Sequence, residues 1–413
     1  MVVPADPTAE TAVGAGAAAV ARNGDRPHAG RALSLPDFPW DSLAPFAARA
    51  RAHADGIVDL SVGSPVDETP AVVRDALVAA TDAHAYPQTM GTLALREAIV
   101  RWYARRRGVT LPGTDAVLPT IGSKELVALL PLLLGLGRDD VIVHPRTAYP
   151  TYSVGAALLG ARAVAEDDPA RWPEGARLIW INSPGNPDGA VLGVDGLRAA
   201  VLRARELGAV LVNDECYAEL GWEPERWGES PADSGAGDSR GPAPVPSILD
   251  PRVIDGDATG LLSVYSLSKQ SNLAGYRAAF LAGDPALVRQ LLEARKHLGL
   301  IPPAPVQAAM IAALDDDAHV AAQREIYRAR RDALAGALRA SGFRIDRSEA
   351  GLYLWATRDE PALDTLAALA ELGILAAPGT FYEGEGSRHV RLALTATDER
   401  ISQAAARLRG SVR

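Results

Sequence analysis

Of the chain's 42 basic residues only three are lysine, Lys124, Lys269 and Lys296, and the other 39 are arginine. A bias toward arginine replaces lysine wherever a generic cation suffices. The positions that keep lysine are therefore candidates for an amine that must lose its proton, or for a compact point charge. Lys269 has the most telling surroundings: it closes Ser266-Leu267-Ser268-Lys269, and Arg277 follows eight residues later. An amine beside hydroxyls and a guanidinium suits an imine with an aldehyde that carries a phosphate. The amine attacks the aldehyde while Ser266, Ser268 and Arg277 hold the dianion. A solvated loop lysine is the plainer reading, and the scarcity of lysine and the neighbouring segments weigh against it.

Further segments extend that chemistry. In Asn213-Asp214-Glu215-Cys216-Tyr217 a carboxylate at a strand end faces desolvation unless paired. Opposite a pyridine nitrogen, Asp214 would keep the ring protonated and make it an electron sink; it equally fits a helix cap. Tyr217 could donate to the ring's phenolic oxygen. The turn Asn182-Ser183-Pro184-Gly185-Asn186-Pro187-Asp188-Gly189 is rigid enough to aim Asn186 at the same oxygen, although taken alone it is simply a turn. Gly122-Ser123-Lys124-Glu125, ahead of the apolar run Leu126–Leu134, reads as an anion cradle at a helix start, or as a bare N-cap. Lys124 adds a cation there. Tyr149 could stack on a planar ring. Arg391, inside an apolar strand, suits the α-carboxylate of an amino acid or an ordinary ion pair.

The elements that must position these residues are α/β in texture. Buried parallel strands are predicted at Val141–Val143, Leu178–Ile181, Val210–Val212, Leu262–Tyr265 and Ala278–Leu281, with helices over Val72–Ala80, Leu93–Arg107, Glu125–Leu134 and Leu197–Leu207 between them. The alternation calls for a largely parallel sheet with helices on both faces. A long helical stretch, Val306–Ser341, leads into a smaller α+β region with strands near Leu352–Ala356 and Val390–Leu394. Residues 1–34 read as a disordered tail and 228–247 as a surface loop. Across 413 residues, 48% are apolar and 23% charged, with a net charge of −9. Such a balance supports a sizeable core and disfavours a nucleic-acid partner. One cysteine, Cys216, fits a reducing, cytoplasmic setting, and no apolar run is long enough to span a membrane. Metal-ligand, Walker and G-x-S-x-G patterns are missing from the sequence, so no metal is expected.

From about Phe38 to the C-terminus the chain resembles the fold-type I, pyridoxal-phosphate-dependent class I/II aminotransferases. The matching segments run in family order: Leu60–Pro65, Tyr86-Pro87 with Gly91, Gly122–Glu125, Tyr149-Pro150, the Asn186 turn, Asp214 with Tyr217, Ser266–Lys269 with Arg277, and Arg391. The resemblance implies a mostly parallel, seven-stranded type of sheet in a large cofactor domain (61–298). An N-terminal arm (35–60) would contribute to a small C-terminal domain (299–413). It implies Lys269 as Schiff-base lysine and proton shuttle, Asp214 at the pyridine nitrogen and Tyr149 on the ring. Asn186 and Tyr217 would meet the phenolic oxygen, and Gly63, Asn186 and Arg391 the amino or oxo acid. Gly122, Ser123, Lys124, Ser266, Ser268 and Arg277 would hold the phosphate, with Tyr86 reaching the partner's phosphate in a homodimer.

A narrower likeness, carried by Gly122–Ala128, Asp214–Trp222, Ser266–Arg277 and Ser348–Thr357, is to N-succinyldiaminopimelate aminotransferases of lysine precursor biosynthesis. It implies exchange between glutamate/2-oxoglutarate and N-succinyl-2-amino-6-oxopimelate. The chain departs from the pattern at Asp188 and at Gly299–Pro303. The latter departure leaves another amino-acid substrate open, and a β-lyase or decarboxylase would use the same scaffold. Lys296, just ahead of it, is a candidate for the distal carboxylate.

Overall fold

The computed structural model describes residues 35–36, 38–223 and 245–411; the tail 1–34 and most of the 228–247 loop lie outside the described residues. Val245, Pro246 and Ser247, the end of that predicted surface loop, are instead buried. Ser247 Oγ donates to Glu215 Oε1 at 2.9 Å, so a polar residue is held inside by a carboxylate.

All five apolar runs form strands of one seven-stranded sheet. Its order is Val117–Ile121, Ala278–Gly283, Leu261–Ser266, Val210–Asp214, Ala176–Asn182, Val141–His144 and Arg162–Ala165. The two strands not foreseen are its edges: one contains Pro119, which an edge tolerates, and the other is largely exposed. Ala278–Gly283 corrects the expectation of parallel pairing, because it runs antiparallel to both neighbours. A run buried on both faces is apolar throughout whichever way it points. Side chains alternate between two cores: Leu178 and Trp180 pack with the helices Ser123–Leu133 and Thr151–Leu159, Ile179 and Ile181 with Val194–Leu207.

The predicted helix Leu93–Arg107 is α-helical through Trp102 and then widens into a π turn, Tyr103–Arg107. The wider turn brings Arg107 inside, where its guanidinium donates to Glu215 Oε2 at 3.0 Å with both side chains buried. The stretch Val306–Ser341 is two helices, Ala304–Asp315 and Asp317–Ala340, because Asp316 caps the second by accepting from Ala318 N. They serve different cores: Ala309 and Met310 pack under the large sheet, Tyr327, Leu334 and Leu338 under a second, four-stranded sheet.

That antiparallel sheet has the order Ala377–Pro378, His389–Ala393, Tyr353–Thr357, Arg344–Ile345. Leu43, Ala47, Val58 and Leu60 join its core, and Val58–Asp59 pairs in parallel with Ile374–Leu375. Among the described residues no helix is long and apolar enough to cross a membrane.

Candidate active site

Three parallel strands end at one sheet edge on Asn182, Asp214 and Ser266, and Asn182 and Asp214 are register partners. Beyond that edge lies a cavity of ≈ 860 Å³ lined by Gly63, Ser123, Lys124, Tyr149, Asn186, Asp214, Tyr217, Ser266, Ser268, Lys269, Arg277 and Arg391 among others. Open α/β sheets gather ligands outside their strand ends, because turns there expose polar groups above a buried floor. Gly122 sits behind this lining, against Arg277.

Lys269 occupies the single helical turn Leu267–Gln270, which Ser266 caps by accepting from Ser268 N at 3.2 Å. Its Nζ donates to the Gly63 carbonyl. Burial pushes the amine below the ordinary lysine value, and the charges of Arg391 and Arg277 add to the effect. A neutral amine is the form that can attack a carbonyl. Gly63 is glycine for a steric reason: a Cβ there would strike the Tyr353 hydroxyl.

The phosphate-type cradle is built from three loops. Gly122 adopts φ +74°, and a Cβ on it would collide with the Arg277 guanidinium. The helix Ser123–Leu133 starts immediately afterwards without a side-chain cap, so its first N–H groups are free for an anion. Ser266 Oγ donates to Ser268 Oγ at 2.8 Å, keeping both hydroxyls on the cavity wall. Lys124 Nζ lies 5.9 Å from the Tyr149 ring centroid.

Asp214 caps no helix. Its Oδ2 accepts from the Tyr152 hydroxyl at 3.0 Å and its Oδ1 from Cys216 N at 3.2 Å, and no cation pairs with it among the described residues. Burial raises its carboxyl above the usual range. A buried carboxylate of this kind is matched by a ligand N–H⁺, so the donor set fits a phosphorylated pyridine aldehyde.

Arg391 is 2% exposed in the central region of the small sheet and meets no carboxylate among the described residues. One NH donates to Asn186 Oδ1 at 3.0 Å and another to the Ser61 carbonyl at 2.7 Å. A guanidinium only donates, so Asn186 must turn its oxygen toward it and keep Nδ2 as a donor. Tyr353, 4.0 Å from the guanidinium carbon at its ring centroid, also meets Tyr217 hydroxyl to hydroxyl at 3.2 Å. Burial alone would raise the Tyr353 hydroxyl, but the Arg391 and Lys269 charges outweigh it and hold it low. Burial drives the Tyr217 hydroxyl well up, and either hydroxyl can be the donor in that bond.

Not every predicted residue arrives here. Tyr86 is fully exposed and lies outside the cavity lining. Lys296 pairs with Glu293 at 2.6 Å on the surface of Pro285–Leu298, an ordinary i,i+3 contact, and does not line the cavity. Asp188, a departure from the family pattern and not a predicted site residue, accepts from Ala190 N and lies 3.4 Å from Arg347. Sequence reasoning gave no role to Tyr152, Tyr353, Phe38 or Trp40. Tyr152 was findable, three residues from Tyr149 across the turn that opens Thr151–Leu159, where the two rings meet edge to face at 6.1 Å. The rest depend on long-range packing.

A lysine, a buried carboxylate and an anion cradle at one sheet edge, with a guanidinium that meets no carboxylate among the described residues lining the same cavity, define a carbonyl-chemistry enzyme built for an aldehyde cofactor. The chain belongs to the aminotransferase class I and II family, whose model matches residues 55–408. Members of this family depend on pyridoxal phosphate, and the chain is an aminotransferase of that kind. It is 54% identical to the 4-dedimethylamino-4-oxo-anhydrotetracycline transaminase of Streptomyces rimosus, over 91% of this chain and 99% of that one. It is 55% identical to a probable aminotransferase of Mycobacterium tuberculosis, over 92% of this chain and 86% of that one. A probable N-succinyldiaminopimelate aminotransferase from Thermus thermophilus superposes with a TM-score of 0.78 at 28% identity, covering 91% of this chain and all of that one.

Proposed function

We propose that this aminotransferase exchanges an amino group between glutamate/2-oxoglutarate and a second oxo acid, with Lys269 as the catalytic residue and Arg391 as the carboxylate anchor. The observation that carries the reading is a buried, carboxylate-free Arg391 lining the same cavity as a Lys269 whose amine burial keeps easy to deprotonate. Pyridoxal phosphate, when bound, supplies an aldehyde that links amines and a ring that accepts electrons from Cα. Ser123, Ser266, Ser268, Arg277 and the helix start behind Gly122 would hold its phosphate, with Lys124 adding charge. Asp214 would keep the ring nitrogen protonated, Tyr149 would cover the ring, and Asn186 and Tyr217 would serve the phenolic oxygen. Arg391 fixes the donor's α-carboxylate so that Lys269 Nζ can take the Cα proton.

The sequence likeness suggests N-succinyl-2-amino-6-oxopimelate as acceptor, whereas the Streptomyces relative is named for an oxo-anhydrotetracycline. The lone cysteine supports a cytoplasmic setting, and full exposure of Tyr86 supports its use by a second subunit in a homodimer. The test is the glutamate half-reaction followed by cofactor absorbance. Arg391→Lys should raise the KM for glutamate about 10²-fold while cofactor absorbance is retained, because a forked donor is replaced by a point charge. An unchanged KM would overturn the anchor assignment.

A further inference from the structure

The cavity has two unlike ends. At the sheet edge its walls are the polar groups already described. At the other end Phe38, Pro39, Trp40, Val62 and Phe381 converge. The rings run outward in series from the carboxylate anchor. The Arg391 guanidinium carbon lies 4.0 Å from the Tyr353 centroid, 5.0 Å from Tyr382 and 6.0 Å from Trp40. Trp40 lies 5.3 Å from Phe381 and 5.4 Å from Phe38, the latter pair inclined by only 30°. Phe38 and Val62 remain 56% and 51% exposed, so the series ends on an open apolar face.

Charge at this end is sparse. Among the described lining residues outside the polar end, Glu383 is the charged side chain, and Nζ of the cradle's Lys124 lies 5.6 Å from the Phe38 centroid. The chain has 39 arginines, yet the only two in the described lining are Arg277 and Arg391, both at the polar end. A distal carboxylate therefore meets no free guanidinium in this chain's described residues and faces Glu383 at the rim. A flat apolar group meets a wall of rings, one of which, Phe38, also carries the Lys124 ammonium over it.

We infer that the Phe38–Trp40 segment, with Val62 and Phe381, is a specificity wall for oxo compounds carrying a large planar apolar side chain, in preference to short dicarboxylates. The inference rests on the transaminase reading above. The exchange balances: the acceptor's C=O becomes CH–NH₂ as the donor's CH–NH₂ becomes C=O, a two-electron reduction matched by a two-electron oxidation. The volume of ≈ 860 Å³ is ample for such a side chain beside a cofactor.

The test uses holoenzyme. It is first mixed with L-glutamate and with L-phenylalanine, and cofactor absorbance is read. The amine-loaded enzyme is then given phenylpyruvate, indole-3-pyruvate, pyruvate, oxaloacetate and N-succinyl-2-amino-6-oxopimelate. The aryl acceptors should exceed oxaloacetate and N-succinyl-2-amino-6-oxopimelate in kcat/KM by about tenfold or more. Phe38→Ala, at a half-exposed position that the fold does not need, should lower the aryl-to-pyruvate ratio about tenfold, and Phe38→Tyr should restore it. A dicarboxylate preference, or a ratio untouched by Phe38→Ala, overturns the wall alone. No absorbance change with either donor overturns the transaminase reading and the wall together.

Discussion

Lys269 and Asp214 are both buried ionisable groups, and each pairs chemical usefulness with a cost to the folded state. The lysine's folded value lies below the ordinary 10.5, so between the two values the unfolded chain binds the extra proton. Stability of the apoprotein should therefore rise with pH up to about 10.5. Replacing Lys269 with Met should abolish turnover. It should also raise the apoprotein's Tm at neutral pH, a gain that shrinks as pH approaches the ordinary lysine value. Thermal melts from pH 6 to 10 check this, and a Met variant that melts lower throughout would contradict it. Asp214 gives the opposite sign. Its carboxyl is raised by burial, so its charged form costs stability above the ordinary 3.8. Asp214→Asn should leave the apoprotein at least as stable while lowering kcat about 10²-fold or more, because the amide cannot hold a ring N–H⁺ electrostatically.

At the scale of elements, the cradle depends on a glycine where a helix begins. Gly122 combines φ +74° with contact against Arg277. Gly122→Ala should weaken cofactor retention at least tenfold, read by fluorescence titration, and cost about 1–2 kcal/mol in folding through the strained φ. The lysine turn is held from behind as well. Ser271 Oγ meets His319 Nε2 at 2.8 Å, and His319 Nδ1 meets Asp316 at 2.9 Å. The three residues have the order of a hydrolytic triad, but Ser271 is fully buried, so this chain of bonds ties the lysine turn to the start of Asp317–Ala340. Asp316→Ala removes that helix's cap and the imidazole's anchor together and should cost about 1 kcal/mol or slightly more, measured by denaturant unfolding.

For the whole molecule, two sheets contribute to one cavity: the large one supplies the lysine, cradle and acid, and the small one supplies Arg391 and Tyr353. Residues 38–62 cross between them, giving Phe38 and Trp40 to the cavity and Val58 and Leu60 to the small core. Tyr86 stands on the surface of a single chain. If a second subunit uses it, light scattering should give a dimer, and Tyr86→Phe should weaken cofactor binding without shifting the monomer's fold, seen by circular dichroism. A monomer at micromolar concentration with full activity would contradict that use.

What the sequence determined by itself was local chemistry. Ser266–Lys269 and Asp214–Tyr217 are contiguous, and each follows an apolar run whose burial the pattern alone requires, so their place at strand ends was legible; Gly122–Lys124 was legible as a helix start, but the strand ahead of it was not. The direction of Ala278–Gly283, the break at Asp316 and the bonds from Tyr152 to Asp214 and Tyr353 to Tyr217 were not. The aromatic wall was least legible, since Trp40 and Phe381 meet across more than three hundred residues. No spacing encodes such a contact; it arises when two cores and their connecting arm pack together, and only the tertiary structure brings those rings to one cavity.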